Sequence, residues 1–390
     1  MQSTAQSASG SEITGSRTIS DNVRFVQYRV SSSVGAVGVN MVLIKLDAIR
    51  NGRLSIEPAM PSDTMGRTAS PESIARRVGA IAAINGPYFA SAGGYTYPLG
   101  FTVINGRLTQ LGNLTRPITG FDPKGEFAIE VAHPQVFLMS DKSFEPVWLW
   151  NINTPAGSDA VTMYDNRWSG QVGSQGGTAV AVAPLGSASA GDNQQIVINV
   201  DNFSGREWDG EVVEVIENSD LKIPDGGYVL VFRGKAKSNI SRYPLGAKTV
   251  VYTYELPSRF QTMRWLTTLG PWFLSNGWSR DFSGETSYGG NITGRATRSI
   301  IGTTWNDEFF MAVTSGAGLN VVETGNVLME CNVREAIMCD SGSSAGLWAD
   351  GLGVKGSARH VPMAFVVRKL EEPLSDPPPL RLWSGSLHRH

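Results

Sequence analysis

The sequence predicts an α+β fold that is rich in β structure, a single large domain of mixed or antiparallel sheet with a few helices packed on it. Three observations carry that expectation. The 44 glycines and 20 prolines are scattered through the 390 residues, which suits many short strands joined by tight turns better than a helical bundle. Apolar residues recur with period two or in short continuous runs, the patterns of half-buried and fully buried strands. Helix-start signals are few.

Along the chain, residues 1–21 are mostly Ser, Thr and Gly and read as a flexible N-terminal arm. Strands are expected at Val39 to Leu46, Gln195 to Val200, Tyr228 to Phe232, Thr249 to Tyr254, Phe309 to Val313 and Ala336 to Met338. Asn105-Gly106, Asn276-Gly277 and Asp350-Gly351 each separate two apolar runs. Such dipeptides tolerate positive φ, so they predict two-residue hairpins near Thr102 to Leu108, Trp272 to Arg280 and Leu347 to Val354. Ser70-Pro71-Glu72 sets a capping hydroxyl before a proline suited to the first helical turn, predicting a helix over Pro71 to Val78. A second helix is expected over Val322 to Glu330. The longest polar stretch, Pro184 to Asp192, is only a loop's length, so residues 22–369 read as one domain. Residues 370–390, with Pro377-Pro378-Pro379, read as an extended tail.

Charge and composition remove several classes of function. With 33 basic and 35 acidic residues the formal net charge is −2, which gives no electrostatic case for nucleic acid or an anionic membrane. No run of about 18 apolar residues occurs, so no membrane span is expected, and the first residues lack the apolar core of a signal peptide. Two cysteines, Cys331 and Cys339, exclude a disulfide scaffold and a Cys-rich zinc site. They are either buried apolar fillers or one bridge. No H-E-x-x-H, EF-hand or phosphate-loop spacing is present, so no cofactor is expected, with a divalent cation on Asp and Glu oxygens left open.

Three segments concentrate chemistry. Cys339-Asp340-Ser341-Gly342-Ser343-Ser344-Ala345-Gly346 follows an apolar strand. Asp340 supplies an acid or base, and the hydroxyls and N–H groups of Gly342, Ser343 and Ser344 are donors for an anion; the plain alternative is a tight polar turn. Arg295-Ala296-Thr297-Arg298 leads into a strand, and a guanidinium grips phosphate or carboxylate at two points. The alternative is a solvated strand edge. Ile84-Asn85-Gly86-Pro87-Tyr88-Phe89 ends an apolar run with an amide and a phenol that suit a sugar hydroxyl or a phosphate oxygen. A serine-type hydrolase would use Ser341 or Ser344 with His133 as base. Gly342 to Gly346 fits G-x-S-x-G, but that elbow must open a helix, and here the chain runs into a hairpin.

Taken in order, these segments resemble the phosphodiester glycosidase family. Its N-G-x-Y-F turn is similar to Asn85 to Phe89, its Pro-x-G strand and N-G hairpin to Pro98 through Gly106, its R-[ST]-A-I-G strand to Arg298 to Gly302, and its D-G-G-G-S-S loop to Asp340 to Ala345. Weaker similarity, including Arg359 to Val367, extends coverage to Val23 through Val367. The chain departs from the pattern where the glycine triplet becomes Ser341-Gly342-Ser343 and the second serine becomes Ala345.

The resemblance implies an exported hydrolase with a carbohydrate-phosphate substrate, cleaving the glycosidic C–O bond of a sugar-1-phosphodiester to free sugar and phosphomonoester. A phosphomonoester is a good leaving group. The enzyme then needs chiefly donors or cations for the phosphate and a carboxylate to assist water or the oxocarbenium-like centre. On that reading Arg298, with Arg295, grips the phosphate and Asp340 is the carboxylate. Asn85 and Ser344 orient oxygens, the N–H groups of Gly342 to Ala345 cradle the anion, and Tyr88 adds a hydrogen bond or a stacking face. Two rival readings stand beside it: the serine-type hydrolase, and a non-catalytic protein that binds a glycan or anionic polymer on the same scaffold.

Overall fold

The run Phe309 to Val313 is apolar at every position because its strand is covered on both faces. Phe309, Met311 and Val313 enter one core cluster while Phe310 and Ala312 enter another, as the two-residue period of a strand requires. The structure, a computed structural model, describes residues 10–92, 94–112, 114–122, 124–155, 157–168, 178–184, 210–217, 221–286, 288–374 and 380. Among them the protein is β-rich, with two eight-stranded sheets, two five-stranded sheets, a two-stranded ribbon and few helices.

The first eight-stranded sheet has the order Ser11–Ser20, Val23–Ser32, Gly35–Lys45, Glu308–Gly316, Ser299–Thr304, Val333–Met338, Trp272–Ser275, Trp278–Ser279, all antiparallel. One face packs on a five-stranded antiparallel sheet ordered Gly353–Gly356, Gly346–Ala349, Ala82–Asn85, Ala364–Lys369, Leu54–Ala59. Ile301, Met311 and Ile337 there share a cluster with Ile84, Leu347 and Phe365. The opposite face is covered by the helix Val321–Glu330, whose Val327 and Leu328 pack with Ile300 and Phe310.

That helix begins with a reciprocal cap. Glu323 N–H donates to Asn320 Oδ1 and Asn320 N–H to Glu323 Oε2, each at 2.9 Å, so two otherwise orphaned donors are satisfied. The other expected helix forms over Pro71–Arg77, where Ser73 N–H donates to Ser70 Oγ at 3.2 Å. The remaining large sheets share a core of their own. They are antiparallel apart from one short parallel pairing of Asn151–Ile152 with Val161–Asp165.

Several expectations are corrected. Residues 11–20 are not a free arm but a strand paired with Val23–Ser32. Their polar side chains face solvent at the sheet edge, while the pairing is made by backbone groups that side-chain composition does not reveal. The hairpins at Asn105-Gly106 and Asn276-Gly277 have positive φ at both central residues. At Asp350-Gly351 only the glycine does, and Ala349 pairs with Gly353, so that loop is one residue longer than expected. Cys331, at the helix end, and Cys339, after its strand, are buried and free, so the bridge does not form. From the expected tail, Leu380 is buried and its N–H donates to Gln261 O at 3.0 Å. The expected strand Gln195 to Val200, residues 185–192 and Pro377 to Pro379 lie outside the described residues. No helix among the described residues is long and apolar enough to cross a membrane.

Candidate active site

The strand Val333–Met338 leaves its sheet through Cys339 into the loop Asp340 to Ala345, which turns at Gly342 with φ +63°, the left-handed region that favours glycine. The strand Ala82–Asn85 of the facing sheet ends beside this loop, and its last side chain closes the seam. Asn85 is fully buried. Its Nδ2 donates to Asp340 O at 2.6 Å, and its Oδ1 accepts from Ser299 Oγ at 2.7 Å and Gly346 N–H at 3.0 Å. Both acceptor positions and one donor are therefore committed to protein. Asn85 thus ties its strand to the Asp340 loop, with one Nδ2 hydrogen uncommitted among the described residues.

Asp340 is partly exposed at the loop's start. Its carboxylate accepts from Ser341 N–H at 3.0 Å and from the Ser344 hydroxyl. Burial raises its pKa above the ordinary aspartate value, while those two hydrogen bonds and the Arg359 charge oppose the rise. Arg359 is exposed, donates from Nη1 to Ser343 Oγ at 2.8 Å and Ser344 Oγ at 3.0 Å, and lies 5.2 Å from the Phe89 ring centre. Only the weak similarity beginning at Arg359 points to it in the sequence.

Arg298 is fully buried, and its guanidinium is met by carbonyls instead of carboxylates. Nε donates to Leu319 O and Nη1 to Ile292 O, both at 2.7 Å, and Nη2 donates to Gly294 O. Loss of water lowers its pKa, yet a guanidinium stays protonated. It thus brings positive charge and braces the turn at 292–294, but the expected two-point grip on phosphate is taken up by the backbone.

The same accounting applies to Arg295 and to the loop's N–H groups. Arg295 is exposed and donates from Nε and Nη2 to both oxygens of Glu323, so its charge is spent on a helix-capping carboxylate. Three of the four N–H groups of the expected cradle are bonded within the protein: Gly342 N–H donates to Thr297 O at 2.8 Å, Ser344 N–H to Ser341 O at 3.3 Å, and Ala345 N–H to Gly342 O at 3.1 Å.

Tyr88 projects between these groups. Its hydroxyl is buried without a hydrogen-bond partner, and the charges of Asp340, Arg298 and Arg116 all act on it. Desolvation pushes its pKa far up, which keeps the phenol a protonated donor. Arg116 is the other functional candidate that sequence reasoning misses.

No histidine among the described residues hydrogen-bonds to Ser341 or Ser344. Ser341 Oγ donates to Cys339 O at 3.1 Å and accepts from Ser299 N–H at 3.3 Å, Ser344 faces Asp340 and Arg359, and His133 Nδ1 meets Thr115 Oγ1 at 3.0 Å. Gly342–Ser344 is a single short turn followed by the strand Gly346–Ala349, not an elbow opening a helix. Among the described residues no group of three or more His, Cys, Asp or Glu is placed to hold a metal ion. Cavities of about 220 and 350 Å³ share no lining residue with this cluster.

Residues 192–368 match the phosphodiester glycosidase family model. The family resemblance drawn from the motifs is therefore borne out over a span that includes Arg298, Asp340 and Arg359. No curated protein matches the sequence. Among solved structures, a hypothetical protein from Synechocystis is similar with TM-score 0.73 and 19% identity, covering 89% of this chain, which spans 62% of that one. The "Putative exported protein" of Burkholderia pseudomallei is similar with TM-score 0.67 and 14% identity over 92% of this chain and 97% of its own. At these identities the similarity concerns the fold alone. The zebrafish N-acetylglucosamine-1-phosphodiester alpha-N-acetylglucosaminidase catalytic domain aligns at TM-score 0.44 and 11% identity, over 93% of this chain and 88% of its own, too low to weigh on the fold.

Proposed function

We propose that this protein is a hydrolase that cleaves the glycosidic C–O bond of a sugar-1-phosphodiester. The observation that carries this reading is the Asp340 carboxylate, held by the Ser344 hydroxyl at the mouth of its loop, with the exposed Arg359 donating to that same hydroxyl. An exposed cation at the site draws a phosphodiester. Asp340 then takes the proton of the attacking water or faces the oxocarbenium-like carbon.

The step balances simply. The water oxygen bonds to the sugar's anomeric carbon, the C–O bond breaks, its electron pair leaves with the phosphomonoester, and the water proton passes to Asp340. Ser344 holds the Asp340 carboxylate, Asn85 holds its backbone, and Tyr88 supplies a donor. We also propose an extracytoplasmic location, which the name of the Burkholderia neighbour supports.

The test is incubation with UDP-GlcNAc in ¹⁸O-labelled water, with the Asp340→Asn variant alongside. Label in the released sugar, lost in the variant, supports the reading. Label in the phosphate means P–O cleavage and overturns it. Binding without turnover in the unmodified protein assigns the scaffold to a binding module.

A further inference from the structure

Nothing in the sequence around Arg116 marks it, since it simply opens the strand Arg116–Phe121. In the structure it is only 8% exposed. A buried guanidinium is ordinarily paired, because removing an unpaired charge from water is costly. Arg116 has no such partner: among the described residues its guanidinium makes no hydrogen bond or ion pair, and its Nε is buried and unsatisfied. Two rings hold it instead, with the guanidinium carbon 4.4 Å from the Tyr288 ring centre and 5.6 Å from that of Tyr88.

Both rings are fixed from behind or left open in an informative way. Tyr288 Oη donates to Glu285 Oε2 at 2.5 Å, and the buried Glu285 carboxylate also accepts from Arg280 Nη1 at 2.7 Å. The negative charge of Glu285 is thus answered by Arg280. Tyr288 comes this close because position 270 is glycine, where a Cβ would collide with the phenol oxygen. The Tyr88 hydroxyl beside it is likewise a buried donor without a partner, and it lies within the fields of Asp340 and Arg298.

Aromatic faces can hold a guanidinium while leaving the N–H groups in its own plane unused. We propose that Arg116 and the Tyr88 hydroxyl form an oxyanion subsite for the phosphate of the substrate, with Tyr288 and Glu285 as positioning residues. That the phosphate belongs to a sugar diester rests on the function proposed above; the binding of phosphate does not. A phosphate accepts a guanidinium fork through two oxygens and a phenol through a third, whereas a carboxylate must share one of its two oxygens.

Inorganic phosphate is the probe, titrated calorimetrically into the full chain at constant ionic strength, with acetate as the carboxylate control. Wild type is expected to bind phosphate and not acetate. Arg116→Met is expected to weaken phosphate binding at least about tenfold, and Tyr88→Phe by about threefold to tenfold, the loss of a charge-assisted and a neutral hydrogen bond respectively.

The thermal midpoint without phosphate gives a readout that a structural arginine would move the other way. Arg116→Met is expected to melt at or above wild type, because it replaces an uncompensated buried charge with a side chain of similar length. Should that variant fail to fold, Arg116→Lys keeps the charge but not the planar fork, with about a tenfold loss expected. No phosphate binding by wild type, equal binding of acetate, or unchanged affinity in the Arg116 variants overturns the proposal. Failure of the enzymatic reading looks different: phosphate bound in an Arg116-dependent way by a protein that releases no sugar.

Discussion

Asn85 Nδ2 donates to the carbonyl of Asp340 at 2.6 Å, across 255 residues of sequence. One buried amide thereby ties the end of a strand in the five-stranded sheet to the loop that leaves the eight-stranded sheet. The loop conformation at Asp340 depends on that amide as much as on its own residues, because Ser299 and Gly346 are bound to its oxygen.

Replacing Asn85 by Ala leaves the Ser299 hydroxyl and the Gly346 N–H buried without their acceptor. Destabilisation of about 2–4 kcal/mol is expected, read from urea denaturation, together with a fall in kcat for sugar release. A variant as stable as wild type would show that the seam is held by something else.

The pH dependence of stability carries the signature of Asp340. Burial raises its carboxyl above the ordinary value, so the folded protein keeps a proton there over a range in which the unfolded chain has lost it. Between the ordinary and the raised pKa the native state binds more protons, and stability falls as pH rises through that window. The difference in urea midpoint between wild type and Asp340→Asn, followed across the acid range, is expected to fall with pH; a flat or rising difference rejects the assignment. The acid limb of kcat/KM should lie above the usual aspartate range. Arg359→Ala removes a cation that favours the ionised form, and should move that limb to higher pH.

Arg295 serves as the contrast to Arg298. Its guanidinium is paired with Glu323 on the surface, so Arg295→Ala should leave kcat/KM within about twofold of wild type and change stability little. A tenfold or larger loss of turnover would return it to the site.

The two thiols should be silent in the folded protein. Burial pushes the Cys331 pKa up to about 12 and that of Cys339 well above its ordinary value, and the thiolate is the reactive form. A thiol reagent at pH 8 is expected to label neither in native protein and both in denaturant. Rapid labelling of native protein would contradict their burial.

Much of the scaffold was legible along the chain. Ser70-Pro71 marked a helix start, Asn105-Gly106 and Asn276-Gly277 marked hairpins, and Phe309 to Val313 marked a buried strand, because caps, turns and periodicity are interactions among near neighbours. Asp340 and Arg298 were legible as candidates since each lies where an apolar strand meets a polar segment. The strand Ser11–Ser20 was not, because an edge strand needs only backbone pairing on one side.

Local patterns along the chain mark many of the strands and turns, both principal helices, and the residue types available for chemistry. Which charges remain unpaired depends on how the sheets pack in space. Arg295 and Arg298 look equivalent in Arg-Ala-Thr-Arg, yet in extended chain a step of three residues reverses the face; one meets Glu323 at the surface and the other is buried against carbonyls. Arg116, Tyr88 and the Glu285–Tyr288 segment are far apart along the chain, and Arg116 meets both rings only after the sheets pack. Desolvation and partner choice belong to position in space, and no spacing along the chain encodes them.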